Sequence, residues 1–114
     1  MKIINVSKNT LIADKAELAN TFFKRLIGLL NRNYLNPGEA LVLVPSNCIH
    51  SLFMRFTMDA LFLDKAGKVV GVLPSFKPFR LSPLFFKSHL TIELPEFSIK
   101  GSQTQLRDLV KIEE

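Results

Sequence analysis

The sequence has no tryptophan and a single cysteine, Cys48, in 114 residues. One thiol excludes an intrachain disulfide and any centre built from several thiolates, so folding must rest on packing and hydrogen bonding, and a reducing compartment fits best. Histidine is almost as scarce, with only His50 and His89, and these are too far apart in sequence to read as a zinc motif with Cys48. Nowhere do about 18 apolar residues run together, as a membrane-spanning helix requires. The short apolar cluster after Met1 is far below the length of a signal-peptide core. These absences lead to the expectation of a cytoplasmic protein with no membrane segment, no metal and no cofactor. Repeats, low-complexity tracts and linkers are also missing, so residues 1–114 are expected to form one domain.

What is present is apolar and basic. Hydrophobic residues make up 47% of the chain, enough for one core, and ten of them are phenylalanine, which predicts a core that leans on Phe packing. Fifteen Lys and Arg against ten Asp and Glu give a formal charge of +5, a bias toward anionic partners that does not by itself define a site.

Short β-prone runs open the chain at 2–6 and 10–13. Phe22, Phe23, Leu26, Ile27, Leu29 and Leu30 then recur at helical steps behind a cap at Asn20 or Thr21, which predicts one short helix near residues 21–31, with Lys24, Arg25 and Arg32 on its other side. Asn36-Pro37-Gly38 signals a turn, and Ala40 to Val44 reads as a strand ended by Pro45. Further strands are expected at 49–53 and 58–63. The loop Asp64-Lys65-Ala66-Gly67 turns the second of these back into 68–73. His89 to Leu94 alternates as a half-buried strand does, and 106–112 reads as the final strand. The fold class is mainly β with a minor α+β component, a compact and largely antiparallel barrel or sandwich.

The chemistry concentrates between Cys48 and Asp64. If 48–54 is extended, Cys48, His50, Leu52 and Met54 share one face. Cys48 and His50 could then form a nucleophile dyad oriented by Asp59 or Asp64, or simply a buried thiol beside a hydrogen-bonded imidazole. The Cys, His and Met of this face cannot all reach one soft metal ion, because positions six apart on a strand are separated by about 20 Å. Arg25, Arg32 and Arg55 have the forked geometry that holds carboxylate or phosphate, although each could instead pair locally. The stretch 76–87 interleaves phenylalanine with positive charge and lacks acidic residues. It could stack single-stranded bases, dip into an anionic membrane surface, grip a partner, or serve as a crossover loop whose phenylalanines plug one end of the fold.

The Ile49-His50-Ser51-Leu52-Phe53-Met54-Arg55-Phe56 block, running into Asp59 and Asp64, together with Arg25 to Leu30, Gly38 to Leu43, Pro78-Phe79-Arg80 and Glu93-Leu94-Pro95, resembles the DUF192 (UPF0127) family of uncharacterised bacterial and archaeal proteins. The resemblance covers nearly the whole chain and implies a single β-rich domain with a short helix in its N-terminal third. It implies no reaction, since the family has none assigned. Many relatives look exported, whereas this chain shows no signal peptide. Two departures stand out. Glu96-Phe97 occupies the place of small residues and glycine, and Arg107-Asp108 the place of a Gly-Asp pair, so a turn needing a left-handed glycine would have to be rebuilt.

The expected function is a non-enzymatic binding domain for a small anionic ligand or a protein segment, using His50, Arg55 and Asp59 with Arg25 and Arg32 close by. The alternatives are an enzyme using Cys48 and His50, and a basic aromatic surface for nucleic acid. The expected state is a monomer or weak dimer.

Overall fold

The computed structural model describes residues 1–21, 24 and 32–114. The predicted helix near residues 21–31 and Arg25 therefore lie outside the described residues, apart from its start, where Thr21 Oγ1 accepts the Lys24 amide at 3.1 Å in the manner of a cap.

Among the described residues the elements follow in order: β1 Lys2–Asn5, β2 Thr10–Ala13, β3 Lys15–Ala19, β4 Glu39–Leu43, β5 Met58–Leu63, β6 Val69–Phe76, β7 Leu90–Pro95, α1 Ser98–Ser102 and β8 Val110–Glu113. They form a three-stranded sheet, β2-β1-β8, and a five-stranded sheet, β3-β4-β7-β5-β6. Pairing is antiparallel everywhere except between β3 and β4. The expected antiparallel β fold is thus realised as two sheets and not as a closed barrel.

The β5–β6 hairpin forms where the sequence places it. Asp64 Oδ1 accepts the amides of Ala66 and Lys68 at 2.9 Å each, and Gly67 takes a φ of 85°. A Cβ on Gly67 would lie 2.6 Å from the Val110 carbonyl oxygen, so glycine is required there for space as well as for backbone geometry.

Strand β7 differs from its predicted character. It is central, flanked by β4 and β5, and Thr91, Ile92, Glu93 and Leu94 are all buried. Alternation separates the two faces of a strand but does not say whether the polar face is covered, and here it is. Ile92 and Leu94 join Ile3, Val42, Leu61, Ile99 and Val110 on one side of the sheet. Glu93, paired in register with Leu41 and Ala60, faces the second core of Leu43, Ile49, Met54, Met58 and Phe62.

Two other expectations change. Residues 49–53 are not a strand, since only His50 makes a bridge, to Leu81. A φ of 66° at Phe53 and a turn closed by the Met54 amide on the Ser51 carbonyl break the alternation. Ile49, Ser51 and Met54 therefore go inward while Cys48, Leu52, Phe53 and Arg55 remain outside. The final strand is likewise shorter than 106–112, starting at Val110. Phenylalanine also divides: Phe62 and Phe76 are buried and Phe85 packs on them, but Phe53, Phe79, Phe86 and Phe97 are exposed.

The turns at Phe97 and Arg107 are not rebuilt. Both residues adopt the left-handed conformation themselves, with φ of 76° and 75°. A side chain there costs on the order of 1–2 kcal/mol in backbone strain, of which glycine's greater freedom in the unfolded chain gives back a part. Because Phe97 is exposed and buries little, Phe97→Gly is expected to raise stability by about 0.5–1 kcal/mol. The denaturation midpoint reads this directly, and a midpoint that fell would mean that the Phe97 ring contributes packing worth more than the strain.

Candidate functional site

Two loops, 44–57 and 77–89, are stitched together over the second core. Ser51, fully buried, is the centre of the stitching. Its hydroxyl donates to the Lys77 carbonyl and accepts the Arg80 amide, while its own amide donates to the Arg80 carbonyl and its carbonyl accepts the Phe79 amide. The Ser82 amide donates to the Ile49 carbonyl, and Ser82 Oγ accepts the Ile49 amide, each at 2.8 Å. Beneath this lattice Ile49 and Met54 anchor the first loop in the core, and Ser46 Oγ meets Thr91 Oγ1 at 2.7 Å on β7.

The outer surface of the same lattice is apolar. Phe53 is 73% exposed, Phe79 61% and Leu81 74%, and Leu52 lies beside them. The Phe53 and Phe79 rings meet edge to face, with centroids 6.2 Å apart and planes at 77°. Both residues have positive φ, 66° and 61°. Aromatic residues held in a strained backbone conformation while remaining in water are unfavourable on both counts, and such outliers concentrate at functional surfaces. Arg55, Lys77 and Arg80 are exposed on these loops.

The residues singled out in sequence are distributed as follows. His50 sits half-buried opposite Leu81, and its Nδ1 is buried with no hydrogen-bond partner among the described residues. Arg55 donates to Asn33 Oδ1 at 2.9 Å, which holds loop 44–57 against residue 33. Arg32 is tied to Glu39 through one nitrogen: its Nη2 donates to both carboxylate oxygens, at 2.9 and 3.0 Å. The Asn36 amide and Arg32 together hold the Glu39 carboxyl below its ordinary range. Asp59 is buried on the other face of the sheet. Its Oδ1 accepts the Ser75 amide at 2.9 Å and its Oδ2 the Ile99 amide at 2.8 Å, joining β5 to β6 and to the start of α1. The structure thus brings His50 and Arg55 into one loop and places Asp59 away from them. Cys48 is exposed at the rim. No group of three or more His, Cys, Asp or Glu side chains suited to a metal ion occurs among the described residues.

Two acidic residues that sequence reasoning did not single out are also perturbed. Glu93 is 5% exposed, no ion pair reaches it among the described residues, and burial pushes its carboxyl up to about 8. Its signal in the sequence was an acid inside an otherwise apolar run. Burial works to raise Asp108 too, but hydrogen bonds from Asn5, Lys8 and the Gln105 amide prevail and hold it below the ordinary range. That cluster fastens β1 to the segment before β8.

A two-sheet β domain with stitched loops that expose an aromatic pair is the class of protein this geometry defines. The chain belongs to the DUF192 family, an uncharacterized ACR, whose model matches residues 3–112. Among curated relatives, a UPF0127 protein of Pyrococcus abyssi is 32% identical over 97% of this chain and 90% of its own length. A UPF0127 protein of Pyrococcus horikoshii is 30% identical over 96% of both. Similar crystal structures include a protein of unknown function from Novosphingobium aromaticivorans, with a TM-score of 0.83 at 16% identity over 97% of this chain and 82% of that one. A putative transcription regulator from Sinorhizobium meliloti has a TM-score of 0.78 at 17% identity over 96% of this chain and 89% of that one. At those identities the likeness is one of fold. No helix among the described residues is long and apolar enough to cross a membrane.

Proposed function

We propose that this domain is a non-enzymatic binding module whose stitched loops receive a protein segment that is acidic and carries apolar side chains. The observation that carries this reading is the exposed Phe53–Phe79 pair, with both residues strained and both held in place by the Ser51 lattice. Rigid, solvent-facing aromatics supply binding energy with little further loss of conformational freedom, and they dominate the energetics of many interfaces. Charge supports an acidic occupant: loops 44–57 and 77–89 carry Arg55, Lys77, Arg80 and Lys87 and no Asp or Glu. An anionic segment would be steered to these loops and a cationic one turned away.

Selection from a random peptide library tests this. The expected winners combine Asp or Glu with aromatic or aliphatic residues, and the double variant Phe53→Ala/Phe79→Ala is expected to bind them at least about tenfold more weakly. Its stability should change by no more than about 1 kcal/mol, since the two rings are largely in water. Enrichment of basic peptides, or undiminished binding by the double variant, would overturn the reading. Preferential binding of a single-stranded oligonucleotide with a steep salt dependence would assign the surface to nucleic acid instead.

A further inference from the structure

We propose that the domain carries a second site, for a small phosphorylated molecule, in a cavity of about 360 Å³ beside the β5–β6 turn. Its lining includes Asp64, Lys68, Val70, Lys87, Leu106 and Arg107. The volume falls within the range of small-molecule pockets, about 300–1,000 Å³. Three cationic residues and one acidic residue are in the lining, and the Oδ1 of Asp64 already accepts two backbone amides of the turn. Lys68, Lys87 and Arg107 belong to no ion pair among the described residues. A single carboxylate ligand would not use three cations, whereas a phosphoryl group with two charges would: the guanidinium fork takes two oxygens and the lysines act as point charges. Val70 and Leu106 offer an apolar wall for the body of such a molecule.

Arg107 makes this more than a patch of surface lysines. Its backbone occupies the left-handed region, φ 75°, which glycine would adopt without strain. The position is fixed from both sides: the Arg107 amide donates to the Val69 carbonyl, and the Val69 amide donates to the Asp108 carbonyl, both at 2.9 Å. The arginine is thus held rigidly in an unfavourable conformation at the wall of a cation-lined cavity. A guanidinium serving only solubility would need neither the strain nor the fixation. An adjoining cavity of about 490 Å³ shares Asp64 and Lys87 and adds Lys65, which extends the positive field around the opening.

The cavity takes Lys87 from loop 77–89, but Ser51, Phe53 and Phe79 do not line it, so its failure would leave the reading of the aromatic pair untouched. The test is amide-resolved NMR titration of the whole chain with inorganic pyrophosphate and with adenosine monophosphate at constant ionic strength. Saturable shifts are expected at Lys68, Val70, Leu106 and Arg107, and adenosine monophosphate should perturb Val70 and Leu106 more than pyrophosphate does. Arg107→Gly is expected to weaken binding about tenfold or more while its melting temperature stays level or rises. A purely structural arginine would not separate those two readouts. Lys87→Ala, on an exposed loop, should weaken binding without altering the fold. Shifts that never saturate, shifts that chloride reproduces, or undiminished binding by both variants would overturn the proposal.

Discussion

Raising the pH from about 5 to about 9 is expected to remove about 4 kcal/mol of folding stability through the single side chain of Glu93. The folded chain holds this carboxyl near 8, because burial on β7 penalises its charged form, against an ordinary value of 4.5. In the unfolded chain it ionises at its ordinary value. A group raised in this way stabilises the fold fully below its unfolded value, and that stabilisation is lost as the pH climbs through the folded one. Each pH unit in the interval removes about 1.4 kcal/mol. Asp108 and Glu39 are held low, so their contributions vanish only in acid, below this window. Urea midpoints measured across the range, with Glu93→Gln alongside, check the assignment. The wild-type curve should fall steeply and the Gln curve should stay nearly flat over the same interval. Parallel curves would mean that water reaches the carboxylate and that burial does not govern it.

Phe62→Ala should cost about 3–5 kcal/mol, a large fraction of the roughly 5–15 kcal/mol that holds a domain together. Phe62 is completely buried, and its ring lies 4.2 Å from that of Phe85. Phe85 in turn closes over Gly71, where a Cβ would approach its ring carbons to 2.6 Å. The site cannot easily collapse, because the sheet fixes Phe62 from below and the stitched loops fix Phe85 from above. A large drop in the denaturation midpoint with an unchanged slope is the expected result. A loss below about 1 kcal/mol would show that the loops slide in to fill the space. Phe79→Ala, on the exposed outer surface of the loops, is the natural control, with an expected change close to zero.

The hairpin at Asp64 to Gly67 was legible because its turn chemistry is local: a carboxylate that accepts two amides and a glycine free to turn left. Strand β4 was legible as a continuous apolar run for the same reason. The coverage of β7 was not, since whether Glu93 meets water depends in part on loop 44–57, which lies more than 30 residues away in sequence. The inward and outward sorting at 48–55 failed because one left-handed residue, Phe53, shifts the phase, and nothing about phenylalanine announces that conformation. Of the expected site, His50 and Arg55 share a loop, whereas Asp59 turned out to bind backbone amides, a use that residue type alone does not reveal. The exposed aromatic pair was foreshadowed by the basic, proline-rich composition of 76–87, but a partner at Phe53 required the fold.

Strand β1 pairs on one side with β2, a few residues further along the chain, and on the other with β8, more than a hundred residues away. During synthesis the three-stranded sheet must therefore wait until residues 110–113 have left the ribosome, long after the β5–β6 hairpin can close. Until then Ile3, and the face of the larger sheet that it covers together with Val110, stay uncovered in a nascent chain. A step of this fold exposed to misassembly is thus the late one, the joining of β1 to a strand more than a hundred residues further along the chain.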